Sequence, residues 1–119
     1  MSDYPEQLDH MFAAWNSADP SDVRKNMEKS LSPNIRFVDP SADLVGLDDF
    51  EKNVHEVHRK MPGAVYSISS PVDSHHNYHR YHWSIHQNEK LLMTGFDVVE
   101  TEDSGQVIRV IGFFGDIRT

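Results

Sequence analysis

From Pro62-Gly63 onward, this chain offers only strand-like segments joined by turns too short for a crossover. The segments lie near 64–73, 76–86, 91–101 and 107–115. Turn chemistry separates them at Asp73-Ser74, Gln87-Asn88-Glu89 and Asp103-Ser104-Gly105-Gln106. Such connections join antiparallel neighbours, because a parallel partner needs a crossover of about a dozen residues or more. The second half is therefore expected to be an antiparallel meander, and the rest of the chain must be arranged on that sheet.

The first half reads as helical. Ser2 or Asp3 can cap a first helix with Pro5 in its opening turn. Leu8, Met11, Phe12 and Trp15 then recur at helical spacing. Asp19 or Ser21 can cap a second helix carrying Val23, Met27 and Leu31, which stops at Ser32-Pro33. Ile35 and Phe37 mark a short strand, Asp39-Pro40-Ser41 turns the chain, and Leu44-Val45 returns it. A third helix runs from Leu47 to Met61 with Leu47, Phe50, Val54, Val57 and Met61 as its stripe and His58 on the edge. Helices first and sheet second make the class α+β. A length of 119 residues, without linker or repeat, reads as a single domain over 1–119.

Strand parity can be worked out from the turns. A two-residue loop at Ser104-Gly105 sets Asp97 opposite Gly112, Gly95 opposite Phe114 and Val99 opposite Val110. One face is then Gly95, Asp97, Val99, Val110, Gly112 and Phe114; the other is Phe96, Val98, Ile111 and Phe113. Both are largely apolar, so both are expected to be covered, one by the helices and the other by a second copy of the chain. A three-residue loop at Asn88-Glu89-Lys90 lays Trp83 over Gly95 and Tyr81 opposite Asp97; a two-residue slip puts His79 there instead. An aromatic ring over a strand glycine is a recurrent packing solution.

Two aspartates stand out against this pattern. Asp39 and Asp97 both sit in strand-like contexts, from which Asp is depleted because its side chain competes with the backbone ladder. Asp39 is either a turn residue of Asp-Pro or a general base. Asp97, flanked by glycine and a hydrogen-bonding ring, reads as the floor of a polar pocket.

Charge and composition exclude several functions. A net charge of −8 disfavours nucleic acid and anionic membrane, both of which need a basic footprint. No cysteine is present, so disulfides, thiol nucleophiles and cysteine metal sites are out. Protonating the eight histidines would take the charge to zero. His75, His76, His79, His82 and His86 suggest a metal at first sight. However, His82 and His86 lie about 13 Å apart along a strand at ~3.3 Å per residue, and His79 and His82 face opposite ways. Zinc ligands must converge within about 2.1 Å of one point, so no metal site is read here. Met1-Ser2-Asp3-Tyr4 lacks the basic and apolar regions of a signal peptide, and no apolar run is long enough to span a membrane. A cytoplasmic location is the expectation.

Phe12-Ala13-Ala14-Trp15-Asn16 with Asp19, Phe37-Val38-Asp39-Pro40, Gly95-Phe96-Asp97 and Ile111-Gly112-Phe113-Phe114-Gly115-Asp116 come in an order and spacing that resemble the nuclear-transport-factor-2-like superfamily, in its SnoaL-like and ketosteroid-isomerase-like branch. The resemblance spans nearly the whole chain. It implies three helices packed on a strongly curved antiparallel sheet, a cone-shaped α+β barrel around a deep apolar pocket. Asp39 matches the family's general base before proline. Asp97 matches its oxyanion donor, a carboxylic acid kept protonated by an apolar site. The family's first-helix tyrosine falls on Met11, whose thioether cannot donate a hydrogen bond. Tyr81 or His79 is the expected replacement, because losing an oxyanion donor costs on the order of 10²–10³ in rate. The pocket is expected to be lined by Met11, Phe12, Trp15, Phe37, Val54, His58, Met61, Trp83, Gly95, Gly112 and Phe114.

The function expected is proton transfer next to a carbonyl in a small apolar or polycyclic ligand, of isomerase, cyclase or dehydratase type, with no cofactor. The alternative is a ligand-binding or dimerisation module of the same fold, since fold alone does not choose the reaction. A homodimer through the outer sheet face is the expected assembly.

Overall fold

Leu8, Met11, Ala14 and Trp15 are the buried residues of α1 (Gln7–Asn16), spaced so that they share one helical face. The computed structural model describes residues 6–115; the cap expected at Ser2 or Asp3, the Pro5 of the opening turn and the Asp116 that ends the closing motif fall outside them. Asp19 caps α2 (Pro20–Ser30) by accepting the Ser21 N–H at 2.9 Å, with Pro20 in the first helical position, where a missing N–H costs nothing. α2 ends at Ser30, earlier than Ser32-Pro33, because Leu31 already pairs with Val107 as the start of β1 (Leu31–Asp39). Pro33 sits where the β1 register shifts, the position in a strand that tolerates a residue without an N–H.

β2 (Ala42–Val45) folds back on β1. Gly46 then takes a φ of +94°, a turn that favours glycine, and its N–H bonds the Ile35 carbonyl at 2.8 Å. α3 (Leu47–Lys60) follows, burying Phe50 and Val54. Asp48 and Glu51 do more than suit its macrodipole: both hold Arg24 of α2, at 2.8 and 3.1 Å.

The expected strand over 64–73 is two strands, β3 (Val65–Ile68) and β4 (Asp73–His75), with Pro71 in the break; both pair with β5 (Tyr78–Gln87). The turn expected at Asp73-Ser74 lies instead at His76-Asn77, where His76 has φ +53°. β6 (Lys90–Thr101) and β7 (Val107–Phe114) complete a sheet of order β2-β1-β7-β6-β5-β3.

Two expectations about this sheet need correction. It is mixed, not purely antiparallel, because β1 runs parallel to β7. Nor is it a closed barrel, because β2 and β3 are left as edges. The helices fill its concave side, and α1, α2, α3 and the inner strand residues form one core around Trp15, Phe37, Phe50 and Met27. Among the described residues no helix is long and apolar enough to cross a membrane.

Candidate active site

Two glycines on the inner sheet face create the room for this site. A Cβ at Gly112 would stand 3.0 Å from Asp97 Oδ1 and 3.3 Å from the Asp39 Cβ. Gly112 is therefore the gap across which the two carboxyl side chains approach one another. A Cβ at Gly95 would overlap the Trp83 indole and the Phe113 carbonyl oxygen. Its absence lets the indole lie flat over β6 and reach the next inward residue, Asp97.

Asp97 opposes Tyr81 on one neighbouring strand and Gly112 on the other, the register anticipated from the turns. The loops that set it differ from expectation. Asn88-Glu89 is a two-residue turn with both φ values positive, as a type I′ turn needs, and the extra residue Leu92 bulges from β6. On the other side the loop is Asp103-Ser104-Gly105, closed by Glu102 N–H donating to the Gln106 carbonyl at 2.8 Å, with Ile108 bulging from β7. In each case the bulge restores the pairing that the loop alone would have shifted.

The carboxyl of Asp97 accepts two hydrogen bonds at 2.9 Å: Tyr81 Oη–H to Oδ2 and Trp83 Nε1–H to Oδ1. Both favour the carboxylate. Burial outweighs them, and with the negative charge of Asp39 added, the Asp97 pKa is pushed up to about 6. Asp39 serves the turn and the site together. Its Oδ1 accepts the Ser41 N–H and hydroxyl, each at 2.8 Å, while Oδ2 has no hydrogen-bond partner among the described residues.

Both carboxyls line one apolar cavity of about 260 Å³ between the helices and the sheet. Of the expected pocket residues, Met11, Phe12, Trp15, Phe37, Met61, Trp83, Gly112 and Phe114 line it. Val54, His58 and Gly95 do not. Val54 is fully buried behind the wall, and Gly95 is covered by Trp83. His58 bonds the Trp15 carbonyl at 2.6 Å, tying α3 to α1.

Tyr81 and His79 require a different account. Tyr81 is 2% exposed, its hydroxyl donates to Asp97, and its side chain is not part of the cavity lining. His79 opposes Val99, not Asp97, and its ring bonds Ser74 Oγ at 2.8 Å and Thr101 Oγ1 at 3.3 Å. Neither reaches the cavity. His82 packs on Phe96 across the outer face, and His75 meets His76 and Tyr78. Among the described residues no three His, Asp or Glu side chains converge as metal ligands would.

Sequence reading missed the polar mouth, formed by Asn53, Glu56 and Lys60 of α3. Their spacing on the same turns as Val57 and Met61 was the available signal. It also missed Tyr66 of β3, which lines the cavity with its ring stacked on Trp15 at 5.1 Å.

No family model matches the chain, and no curated protein matches it in sequence. Solved structures match closely in shape. A presumptive isomerase of the SnoaL-like family from Agrobacterium tumefaciens is 25% identical, with 92% of this chain and 95% of that one covered at a TM-score of 0.86. An NTF2-like protein of unknown function from Exiguobacterium is 16% identical, with 93% and 99% covered at 0.76. A presumptive SnoaL-like polyketide cyclase from Jannaschia is 13% identical, with 92% and 83% covered at 0.74. At the last two identities the likeness concerns the fold alone.

Proposed function

We propose, for a chain that belongs to the nuclear-transport-factor-2-like superfamily in its SnoaL-like branch, an acid–base enzyme that moves a proton next to the carbonyl of a small, mostly apolar molecule. The observation that carries this reading is the convergence of Asp39 and Asp97 on one apolar cavity, on either side of Gly112. A binding protein has no need of two carboxyls in an apolar space, where each costs desolvation.

Asp97 is the proton acceptor in this scheme. With a pKa of about 6 it is mostly carboxylate at pH 7, yet basic enough for efficient transfer. Tyr81 and Trp83 hold it in one orientation. Its carboxylate takes the proton from the carbon beside the carbonyl. The C–H electron pair moves into the new C=C bond, and the carbonyl oxygen becomes an enolate oxygen. In a β,γ-unsaturated ketone the resulting dienolate takes the proton back at its γ carbon as the carbonyl re-forms, which completes an isomerisation; Asp39, whose Oδ2 has no hydrogen-bond partner among the described residues, is the second proton site of that relay. This inverts the roles that the family resemblance implies: an aspartic acid that loses its proton near pH 6 suits a base better than a permanently neutral donor. Such chemistry needs no cofactor.

The cavity favours modest ligands. At about 260 Å³ it falls just below the roughly 300–1,000 Å³ of drug-sized sites, so one or two rings suit it better than the four of a steroid. The presumptive isomerase and cyclase names of the structural relatives agree with the reaction class.

The test is deuterium uptake α to the carbonyl of one- and two-ring ketones and enones, followed by NMR in D₂O. The wild-type rate should rise with pH through about 6 and then level off, because the base must be ionised. Asp97→Asn should lower it by on the order of 10²–10⁴. Exchange that survives in Asp97→Asn sinks the proposal; exchange unchanged in Asp39→Asn removes Asp39 from the proton path.

The assembly is part of the same proposal. Phe96 and Phe113 stack at 5.0 Å on the outward face, and Phe113 is 49% exposed, which supports a homodimer through this sheet surface.

A further inference from the structure

An enolate that forms in this cavity needs a hydrogen-bond donor on its oxygen, and Met11, a thioether on the cavity wall, has none to give. The two donors nearest Asp97 are already engaged with it. Tyr81 and Trp83 both point their protons at its carboxylate. The Ser41 hydroxyl is likewise directed at Asp39.

Tyr66 differs from all of these. Its side chain lines the cavity, and its hydroxyl makes no hydrogen bond among the described residues. Burial raises its pKa above the ordinary phenol range, and the charges of Asp39 and Asp97 raise it further. The phenol therefore stays protonated at every working pH and lies within the field of both carboxylates. Among the described residues Asn53 makes no hydrogen bond either, and the Lys60 ammonium has only a 3.9 Å contact with Glu56, but both belong to the helical mouth and not to the sheet that carries Asp97.

The backbone of Tyr66 is fixed in an unusual way. β3 is an edge strand, so one side of Tyr66 has no strand beside it. Asn16, the last residue of α1, fills that side with its amide group. Its Oδ1 accepts the Tyr66 N–H at 2.7 Å, and its Nδ2 donates to the Tyr66 carbonyl at 2.9 Å. Trp15, the residue before it, stacks on the phenol ring at 5.1 Å and 24°. One helical turn thus sets both the backbone and the ring of a tyrosine 50 positions away.

We infer that Tyr66 is the donor that holds the substrate oxygen, that Asn16 is its positioning residue, and that the ligands carry an enolisable carbonyl or a phenol-like hydroxyl. The inference rests on the acid–base reading for its chemistry, but binding can test it separately. The probe is 2-naphthol, a planar enol mimic, compared with naphthalene, which has the same rings and no oxygen.

Titration by fluorescence should show wild type preferring 2-naphthol to naphthalene. Tyr66→Phe should cut that preference about 10-fold or more, the usual scale for a hydrogen bond to a charged or strongly polarised oxygen, with naphthalene affinity and Tm unchanged. Asn16→Ala should reduce the same ratio, and should add nothing in the Tyr66→Phe background. If Tyr66→Phe keeps the wild-type ratio, or loses both probes equally, the assignment is overturned. Failure of ketone exchange in wild type would overturn the acid–base reading alone, leaving the naphthol ratio to report on Tyr66.

Discussion

The two faces of the β6–β7 pair come from the same two strands, and they have opposite consequences. The inward face carries Gly95 and Gly112, and each missing side chain is used: one lets an indole lie down, the other lets two carboxyls face one another. The outward face carries Phe96, Val98, Ile111 and Phe113 with no gap, and its two phenylalanines stack on each other within 14° of parallel. A cavity is thus made by omission and an unbroken apolar surface by completeness. Alternation along the strand allows both in the same few residues.

The largest way to break this contrast is to fill an omission. Gly95→Ala should cost about 3 kcal/mol or more in urea unfolding, the upper end for overpacking, because its new Cβ meets a carbonyl oxygen as well as the indole. A cost under about 0.5 kcal/mol, ordinary for a surface change, would mean the inner face is looser than described.

Next in size is the electrostatic cost of the inner face. Asp97 binds its proton more tightly in the folded chain, at about 6 against a reference of 3.8. Between those values the folded state holds a proton that the unfolded state has released, so stability from this group falls as pH rises. The fall amounts to about 3 kcal/mol, at about 1.4 kcal/mol for each pH unit between 3.8 and about 6. Compared with Asp97→Asn, wild type should therefore lose stability relative to the variant from about pH 4 to about pH 7. Parallel stability curves for the two proteins would show that Asp97 is not buried at a cost.

The smallest effect belongs to the outer face. Phe113→Glu should weaken self-association at least about 10-fold in sedimentation, or about 1.4 kcal/mol, while 2-naphthol binding is retained. A wild-type chain that sediments as a monomer would refute the covered outer face.

The positions of these faces were legible in the sequence to an instructive degree. Asp97 opposite Gly112 and Tyr81 followed from turn chemistry although both loop lengths were misjudged. Burial explains this: a one-residue slip would turn Val99 and Val110 out to solvent, so Leu92 and Ile108 bulge to prevent it. The parallel pairing of β1 with β7 was not legible, because turn residues speak only for neighbours in sequence. Tyr66 was missed for a related reason. The stretch 64–73 reads as one continuous strand, and the break around Pro71 that ends β3 also obscures which of its residues turn inward. His79 was overvalued because facing inward is not the same as reaching the cavity: it lies at the far end of β5, between Ser74 and Thr101.

The parallel strand pair also bears on assembly order. β7 is inserted between β1 and β6, so Asp39 and Asp97 are brought together only through a strand synthesised after both. A nascent chain that has reached Gln106 already holds all three helices, both carboxyls and every donor named above, yet it lacks the strand that brings the carboxyls together. Pairing residues 31–38 with 107–111 is a contact of long sequence separation, which slows folding. The cavity between the two carboxyls is therefore incomplete until β7 pairs, and a chain truncated before β7 should fail to bind 2-naphthol however helical it is.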